Sequence, residues 1–401
     1  MRIARILTRL NLGGPARQVL ASDPLLADRG HTIRIFTGRP EPGEGELFDR
    51  ARERGLDVVR VAGLGRGVRP IGDLRAAAGL RRELRAFGPD LVHTHASKAG
   101  VLGRRAVRAL ASEARIARLH TFHGHVLEGY FPERVSRGLR RIERRLAAET
   151  DRVLCVSHAT ADDIVRLEVA PEEKIVVVPP GVELEPLLAI ERPSPGESRK
   201  AFSEASPRTL VGARPEAILV GVVGRLASVK QPLAALSIFE KVAELHPLAE
   251  LVFIGDGSER RALEGAVRAS RFARRIHLLG ARAEMVEVLA DLDLVLCASR
   301  SEGLPVALIE AAAAQLPVVA RDVGGVSEVV PHERTGMLGN TDAELSLMLS
   351  SLLADESQRR VMGKRARIRV ASRHGAEALA DRLEAVYEAC LRERRASEGA
   401  G

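Results

Sequence analysis

Residues 293–314, DLVLCASRSEGLPVALIEAAAA, join a short apolar strand, a polar loop and an apolar helix. The run LVLCA is typical of a strand buried on both faces, and Pro305 suits the first position of the helix. Glu302 stands in the loop and Glu310 in the second helical turn. A capping role could explain Glu302, but a carboxylate inside an apolar helix is costly unless it meets hydrogen-bond donors. Glu310 is therefore a candidate ligand-binding residue.

Similar apolar runs, separated by amphipathic helical stretches, continue from this segment towards both ends of the chain. Strand, crossover helix and next strand in repetition are the signature of a parallel sheet covered on both faces, so the predicted fold class is α/β. The predicted strands lie at residues 3–8, 32–37, 57–61, 90–95, 115–122, 152–157, 174–182, 217–226, 249–257, 275–280, 293–303, 317–321 and 335–339.

A stretch rich in Pro, Ser and Gly interrupts this alternation at residues 183–216 and indicates a linker with a loosely ordered insertion. The sequence thus predicts two Rossmann-like domains, at residues 1–182 and 217–375, and a C-terminal helix with a disordered tail at residues 376–401. Ligands of open α/β sheets bind beyond the carboxyl ends of the strands. We therefore expect the two domains to face each other across a cleft that contains the active site.

Two cations follow the first strand of the second predicted domain. Gly224-Arg225-Leu226 ends that strand, and Lys230 comes five residues after Arg225. Neither cation is needed for packing at the edge of a sheet, and together they could neutralise a diphosphate. The alternative is that both are solvated loop residues.

Histidines are concentrated at two neighbouring strand ends, which hold five of the eleven in the chain. A metal site is one interpretation, but no carboxylate cluster accompanies them. For His93, His120 and His125 a structural role is the expectation, because a lone histidine usually serves packing and hydrogen bonding.

Composition excludes several other classes of protein. Aromatic residues make up 3% of the chain and Trp is absent, which argues against binding of single-stranded nucleic acid by stacking. No Walker A loop is found, and no G-x-G-x-x-G follows a strand, which disfavours ATPases and dehydrogenases.

The three scattered cysteines fit a reducing compartment. Without a signal peptide or an apolar stretch of membrane-spanning length, a cytoplasmic location is expected.

The net charge of +8 is unevenly distributed. Residues 1–180 contain 32 Arg and Lys against 22 Asp and Glu, whereas residues 181–401 contain 29 against 31. An electropositive first domain could meet anionic lipid headgroups on the inner face of a membrane or a phosphorylated substrate. Ordinary solvated helices in an arginine-rich chain are the alternative.

The combination of Gly-Arg-Leu, Lys230 and the two glutamates of SEGLPVALIEA resembles the retaining glycosyltransferases of family 4, which have the GT-B fold. The order of motifs matches from Gly13-Gly14 to the turn at Thr335-Gly336. The resemblance implies a metal-independent enzyme that moves a sugar with retention from a nucleotide-diphosphate donor, most commonly a UDP-sugar, to a hydroxyl acceptor. Cell-surface polysaccharide or glycolipid synthesis is the implied setting, and no cofactor or metal is implied.

The resemblance also implies roles for residues of the second domain. Arg225 and Lys230 would bind the donor diphosphate, and Glu310 would bind the ribose hydroxyls. Glu302 would bind the hydroxyls of the transferred sugar, assisted by the backbone amides of Gly303 and Leu304. Arg282, after the strand at residues 275–280, would stack on the base. The turn Gly255-Asp256-Gly257 resembles the tight turn beside the nucleotide, although a simple βα turn is an equal explanation.

In the first domain, the resemblance places Gly13 and Gly14 against the donor phosphates and His123 near the reacting carbon. His123, Glu302, Arg225 and Lys230 form the implied catalytic set. His95 and Lys98 are candidates for the acceptor side.

Asp291-x-Asp293 has the spacing of metal-dependent transferases, but it leads straight into a buried strand and is interpreted as strand edging. Three other functions remain open: a nucleotide-sugar epimerase, a sugar phosphorylase and a non-enzymatic nucleotide-sugar-binding subunit. The sugar, the base and the acceptor, lipid-linked or otherwise, are not determined by the residues.

Overall fold

The computed structural model describes residues 1–41, 45–110, 115–193 and 201–399 of the chain. It forms two compact units. The first comprises Met1–Val182 with Ala376–Gly401, and the second comprises Glu183–Gly375.

The first unit contains a seven-stranded parallel sheet with the order β3-β2-β1-β4-β5-β6-β7. Each strand corresponds to a predicted one, with ends shifted by a few residues. The strands are β1 Arg2–Arg9, β2 Thr32–Gly38, β3 Asp57–Arg60, β4 Leu91–His95, β5 Ala117–Phe122, β6 Arg152–Cys155 and β7 Ile175–Val177. The connecting helices are α1 Gly14–Asp28, α2 Phe48–Glu53, α3 Pro70–Phe87, α4 Ser97–Arg108, α5 Glu133–Ala148 and α6 His158–Arg166.

The second unit contains a six-stranded parallel sheet with the order β10-β9-β8-β11-β12-β13. Its strands are β8 Ile218–Val223, β9 Ala249–Ile254, β10 Ile276–Leu278, β11 Leu294–Cys297, β12 Val318–Arg321 and β13 Gly336–Gly339. Its helices are α7 Glu185–Leu188, α8 Pro207–Val211, α9 Pro232–Ala243, α10 Arg260–Ala269, α11 Met285–Asp291, α12 Val306–Ala313, α13 Val326–Val329, α14 Asp342–Ala354 and α15 Glu356–Ala371.

The last helix, α16 Ala376–Gly399, belongs to the first unit. Its apolar residues Leu379, Leu383 and Tyr387 are buried in one cluster with Ile3 and Leu91 of the sheet. A disordered tail from residue 395 was expected, but the helix continues to Gly399. Residues 400 and 401 lie outside the described part of the chain.

The expected linker at residues 183–216 differs from the prediction. Its described parts contain α7 and α8 and belong to the second unit. The guanidinium of Arg192 donates to the carbonyl oxygens of Ala314 and Leu292, at 2.9 and 2.8 Å. These hydrogen bonds attach the segment to the second unit. The Pro, Ser and Gly content from which a linker was predicted gives no information on such contacts. Residues 194–200, the centre of the expected insertion, lie outside the described residues.

In each unit the strand order reverses direction once, between β1 and β4 in the first and between β8 and β11 in the second. Such a topological switch point opens a crevice at the carboxyl ends of the strands, where ligands of this architecture bind. Within the described ranges, no helix combines the length and apolar character needed to cross a membrane.

Candidate active site

The switch point of the second unit is formed by the loops after β8 and β11. The loop after β8 carries Arg225 and Lys230, and the loop after β11 carries Glu302. The same small pocket is lined by all three residues. The predicted cations and the first predicted glutamate therefore lie together at the carboxyl end of the sheet.

The Gly255-Asp256-Gly257 turn packs directly on the backbone around Arg225. Gly255 and Gly257 have φ values of 149° and 157°, which L-residues with side chains rarely adopt. A methyl group on Gly255 would lie 1.9 Å from the Gly224 carbonyl oxygen, and one on Gly257 would lie 2.3 Å from that of Leu226. Glycine is thus required here by close approach as well as by conformation.

Lys230 and Glu302 form an ion pair with 2.6 Å between Nζ and Oε1. The side chain of Lys230 is 31% exposed and that of Glu302 only 8%. Burial lowers the pKa of Lys230, but the adjacent carboxylate outweighs this effect, and the pKa is raised above its ordinary value. Lys230 is consequently a full positive charge that is largely neutralised by Glu302.

Backbone contacts hold the two loops in place independently of this ion pair. The N–H of Arg300 donates to the carbonyl oxygen of Val229 at 2.8 Å, which joins the loop after β11 to the loop after β8. Gly325, after β12, donates to the carbonyl oxygen of Gly303 at 2.9 Å. Gly324 approaches so closely that an added methyl group would lie 1.8 Å from the carbonyl oxygen of Glu302.

Cys297 ends β11 beneath the ion pair and lines the same pocket. Its Sγ donates to the hydroxyl oxygen of Ser299 at 3.4 Å. Burial, with a smaller contribution from Glu302, raises the pKa of the Cys297 thiol. A protonated thiol is a poor nucleophile, so Cys297 serves the wall of the pocket and not its chemistry.

Glu310 is 5% exposed on α12. Its neighbours Ala307 and Leu308 line the pocket, whereas Glu310 is not among the described residues of that lining. The helix begins at Val306 with Pro305 as its N-cap, one residue later than the expected start at Pro305. The contact of Glu310 with a ribose stays a prediction.

The loop after β10 carries Arg282 and is connected to the turn at Gly255. The N–H of Gly255 donates to the carbonyl oxygen of Gly280 at 2.8 Å. Nε of Arg282 is buried and has no hydrogen-bond partner in the described part of the chain. A planar guanidinium with an unsatisfied donor suits a ligand contact, and its stacking on a base stays a prediction.

In the first unit, the loop after β1 leads into α1, which begins at Gly14 with Pro15 in its first turn. Its N-cap residue, Gly13, has no side chain to cap the helix, and the first turn contains no acidic residue. The N–H of Gly13 donates to Oδ1 of Asn11 at 3.2 Å. The first turn itself brings no negative charge to the positive end of the helix, which suits an anionic group. The predicted phosphate contact of Gly13 and Gly14 is not tested by these features.

His95 and His123 form a hydrogen-bonded pair, with 2.9 Å between Nδ1 of His95 and Nε2 of His123. Burial, followed by repulsion from Arg5, lowers the pKa of His123 to about 3, and burial likewise lowers the pKa of His95. A neutral imidazole has a single N–H. Of the two buried nitrogens outside this hydrogen bond, Nε2 of His95 and Nδ1 of His123, one must therefore carry a proton to donate while the other can only accept. Neither has a hydrogen-bond partner among the described residues.

The remaining clustered histidines have structural partners. His93 bonds the Tyr387 hydroxyl and the Thr121 hydroxyl, both at 2.7 Å. His120 lies 2.9 Å from the hydroxyl of Thr94, and His125 lies 3.0 Å from Asp163.

The turn from β4 into α4 is strained at Ala96, which has φ 59° and ψ 167°. This region is occupied almost only by glycine, and such strain persists where surrounding structure enforces it, often at functional sites. Lys98, two residues later, forms an ion pair with Asp73 at 2.6 Å and also donates to the carbonyl oxygen of Gly67. The Lys98 charge is thus paired within the unit, as that of Lys230 is, and its role at the acceptor stays a prediction.

Sequence reasoning missed a buried polar network beneath these histidines. Arg5, in β1, donates to the hydroxyl of Tyr387 in α16 and lies 3.6 Å from Asp23 in α1. Tyr387 in turn contacts His93. The one available signal was an arginine inside the apolar strand IARILT, because a buried charge requires a partner.

No group of three metal-ligating side chains is found within the described ranges. Asp291 accepts the N–H of Phe202 at 2.8 Å and that of Arg208 at 2.9 Å. Asp293 accepts the N–H of Leu219 at 2.7 Å, at the start of β8. Both carboxylates thus hold backbone at the amino ends of the strands, as the strand-edging interpretation expects.

Two Rossmann-like parallel-sheet units of this kind define the GT-B fold. Among solved structures, the fold is shared with Anabaena HepE in complex with UDP and glucose, at a TM-score of 0.79 and 20% identity over 97% of this chain and 99% of that chain. It is also shared with sucrose-phosphate synthase from Thermosynechococcus elongatus, at a TM-score of 0.80 and 20% identity over 98% and 100%.

Sequence comparison identifies the family. Residues 12–186 match Glycosyltransferase Family 4, and residues 210–369 match Glycosyl transferases group 1. The chain is 32% identical over 425 residues to D-inositol 3-phosphate glycosyltransferase of Nocardia farcinica, covering 97% of this chain and 88% of the relative. It is 25% identical to the UDP-Gal:alpha-D-GlcNAc-diphosphoundecaprenol alpha-1,3-galactosyltransferase of Escherichia coli, covering 96% of both. The chain belongs to the family 4 glycosyltransferases and is a transferase of EC 2.4 type.

Proposed function

We propose that this glycosyltransferase transfers a sugar from a UDP-sugar to a hydroxyl acceptor with retention of configuration and without a metal ion. The observation that carries this proposal is the meeting of Arg225, Lys230 and Glu302 at the switch point of the second unit. UDP is favoured as the nucleotide because the Escherichia coli relative is named for a UDP-galactose donor.

In the proposed reaction, the bond between the anomeric carbon and the β-phosphate oxygen breaks as the acceptor oxygen bonds to the same face of the sugar. The leaving phosphate oxygen takes the acceptor's proton. Arg225 and Lys230 stabilise the negative charge that develops on the diphosphate. Glu302 binds sugar hydroxyls, and no protein carboxylate serves as nucleophile, in contrast to retaining glycosidases with their close carboxylate pair.

Metal independence is supported by the charges of the site. Arg225, together with Lys230 once a bound donor draws it from Glu302, supplies the positive charge that Mg²⁺ would otherwise provide. The only Asp-x-Asp candidate considered from the sequence, Asp291 and Asp293, is engaged by backbone N–H groups at the opposite ends of the strands. Activity should therefore survive in excess EDTA, and complete loss that Mg²⁺ restores would refute this part.

His123 is proposed to bind the donor sugar as a neutral hydrogen-bonding group. With a pKa of about 3, its imidazole is uncharged at neutral pH. Its buried Nδ1, which has no hydrogen-bond partner among the described residues, can then accept from or donate to a hydroxyl, according to the tautomer that the bond with His95 imposes.

For the acceptor we propose a hydroxyl compound that carries phosphate. The two relatives described above are named for acceptors of this chemistry, a diphosphoundecaprenol-linked sugar and D-inositol 3-phosphate. The excess of basic residues in the first 180 positions would favour such an anion.

Peripheral contact with an anionic membrane surface is proposed through the start of α3. Val68, Ile71 and Leu74 are 87%, 71% and 72% exposed, which is unusual for large apolar side chains. Two exposed arginines accompany them in sequence: Arg69 lies between Val68 and Ile71, and Arg75 directly follows Leu74. An apolar wedge flanked by arginine suits an anionic lipid interface. Sedimentation with vesicles of phosphatidylglycerol should exceed that with phosphatidylcholine, and equal or absent binding would refute the contact.

The function is tested by UDP release from a panel of UDP-sugars with phosphorylated acceptors. Lys230→Ala and Glu310→Ala should each abolish transfer while remaining folded, whereas Lys241→Ala, on the exposed face of α9, should not. Full activity in both site variants would refute the assignment. Donor isomerisation without an acceptor would indicate an epimerase instead, and phosphate-dependent release of a sugar phosphate would indicate a phosphorylase.

A further inference from the structure

The ion pair between Lys230 and Glu302 joins two residues that the proposed function assigns to different parts of the donor. Nζ and Oε1 are 2.6 Å apart. In this arrangement the ammonium is not fully available to a diphosphate, and the carboxylate is not fully available to sugar hydroxyls. A bound donor must therefore replace one internal interaction by two external ones.

We propose that this ion pair makes the donor site selective for a nucleoside diphosphate that still carries its sugar. The inference rests on the proposed function of the site and deepens it. A complete donor offers phosphate to Lys230 and hydroxyl groups to Glu302, so both charges keep a partner. Free UDP offers phosphate alone.

The burial of Glu302 supplies the physical basis of the selectivity. Only 8% of its side chain is exposed, so water replaces a lost partner poorly. Removing one member of a buried ion pair leaves an uncompensated charge, which is strongly unfavourable. When UDP draws Lys230 away, Glu302 remains in that state, whereas sugar hydroxyls would donate hydrogen bonds to it.

The same exchange favours release of the product. After transfer the sugar has left, and Glu302 has lost its hydroxyl donors. Lys230, being 31% exposed on a flexible side chain, can return to the carboxylate and weaken the hold on UDP. Discrimination against free UDP and release of UDP thus follow from one contact.

The surrounding backbone permits the exchange without loss of the fold. The loops of both residues are joined through the hydrogen bond from Arg300 to Val229 and are supported by the close approach of Gly324. Among the described residues, the other ionisable groups that act on Lys230 are Arg225 and Cys297. Arg225 stays positive and Cys297 stays protonated at neutral pH, so neither replaces Glu302 as the counter-charge.

The test compares binding of UDP and of UDP-sugars to Glu302→Gln by isothermal titration calorimetry. The sugar ligand is whichever of UDP-glucose, UDP-galactose and UDP-N-acetylglucosamine binds the unmodified protein most tightly. Because glutamine leaves Lys230 without a counter-charge, UDP should bind about three- to tenfold more tightly than to the unmodified protein. The preference for the UDP-sugar over UDP should decrease by at least the same factor.

The matched control is Glu250→Gln. The side chain of Glu250 is buried to a similar degree, at 11% exposure, and its partner is His277 at 2.8 Å, but it lies at the amino end of β9. This variant should leave both affinities unchanged. If Glu302→Gln does not fold, Glu302→Ala removes the same charge without adding an amide. It should likewise bind UDP more tightly and prefer the UDP-sugar less than the unmodified protein does.

A Lys230→Met background separates the inference from its alternatives. There, the gain in UDP affinity from Glu302→Gln should disappear, because no ammonium remains to be released. UDP affinity that is unchanged or weaker in Glu302→Gln, or a gain that persists without Lys230, would overturn the inference while leaving the proposed function intact. Failure of the unmodified protein to bind any UDP compound would instead remove the proposed donor, and the inference with it.

Discussion

Replacing Gly255 by alanine should destabilise the second unit and displace the loop that carries Arg225. The residue has φ 149°, and an added methyl group would lie 1.9 Å from the carbonyl oxygen of Gly224. Backbone in such a region costs an L-residue about 1–3 kcal/mol, and relief of the clash adds to this, so we expect a total loss of about 2–4 kcal/mol. Binding of UDP should weaken as well, because the added methyl group would displace Gly224 and with it Arg225, the proposed diphosphate ligand.

The matched control is Gly265→Ala on α10. An added methyl group at Gly265 meets nothing within 4 Å, and the residue lies inside a helix. Alanine there should stabilise the protein by about 0.5–1 kcal/mol through helix propensity and lower entropy of the unfolded chain. For a unit of this size 1 kcal/mol shifts the thermal midpoint by roughly 2–4 °C, so calorimetry of the full chain should show shifts of opposite sign. Equal midpoints for Gly255→Ala and the unmodified protein would refute the close-approach argument.

Three further predictions concern the first unit. Tyr387→Phe removes the hydroxyl that Arg5 and His93 share and should destabilise this unit by about 2–3 kcal/mol, measured by chemical denaturation, and an unchanged midpoint would contradict it. The folded-state pKa of His123, about 3, lies below the unfolded value of about 6.5, so its stabilising contribution is complete above pH 6.5 and is lost as the pH falls towards 3. Between pH 6.5 and 5, the free energy of unfolding should fall less steeply with decreasing pH in His123→Gln than in the unmodified protein, by up to about 1.4 kcal/mol per pH unit. An identical slope in the two proteins would refute the burial of a neutral ring. Lys98→Met should lower stability by about 1 kcal/mol through loss of the pair with Asp73; a rise of the acceptor KM by more than about twofold would support its predicted role at the acceptor, and an unchanged KM would refute that role.

The proximity of Arg225, Lys230 and Glu302 was predictable because it depends on local patterns and one general rule. Apolar runs located the strands, and Pro305 located the start of α12 to within one residue. In a parallel sheet with right-handed crossovers, residues that follow neighbouring strands share one edge. No long-range information was needed beyond the order of the strands, and the resemblance to a known family supplied the roles.

Contacts between distant parts of the chain were not predictable in the same way. Amphipathic periodicity indicates that the last helix has an apolar face, but not which sheet covers that face. The sequence therefore predicts the last helix as a terminal segment outside both domains, whereas the helix packs on the first sheet. Likewise, the residue types of His95 and His123 mark a polar strand end but do not reveal that the two rings bond each other across 28 residues of sequence.

For Arg5, the sequence identifies one partner of such a long-range contact but not the other. It is 1% exposed and lies on a strand with neighbours on both sides, so its charge must be compensated by side chains covering the sheet. The sequence therefore predicts that an element packed on β1 provides a polar group for Arg5. Nothing local indicates that the group is a tyrosine hydroxyl 382 residues later, because many helices could have covered this face. A charged residue inside an apolar strand can thus predict that a buried polar partner exists, while only the fold identifies it.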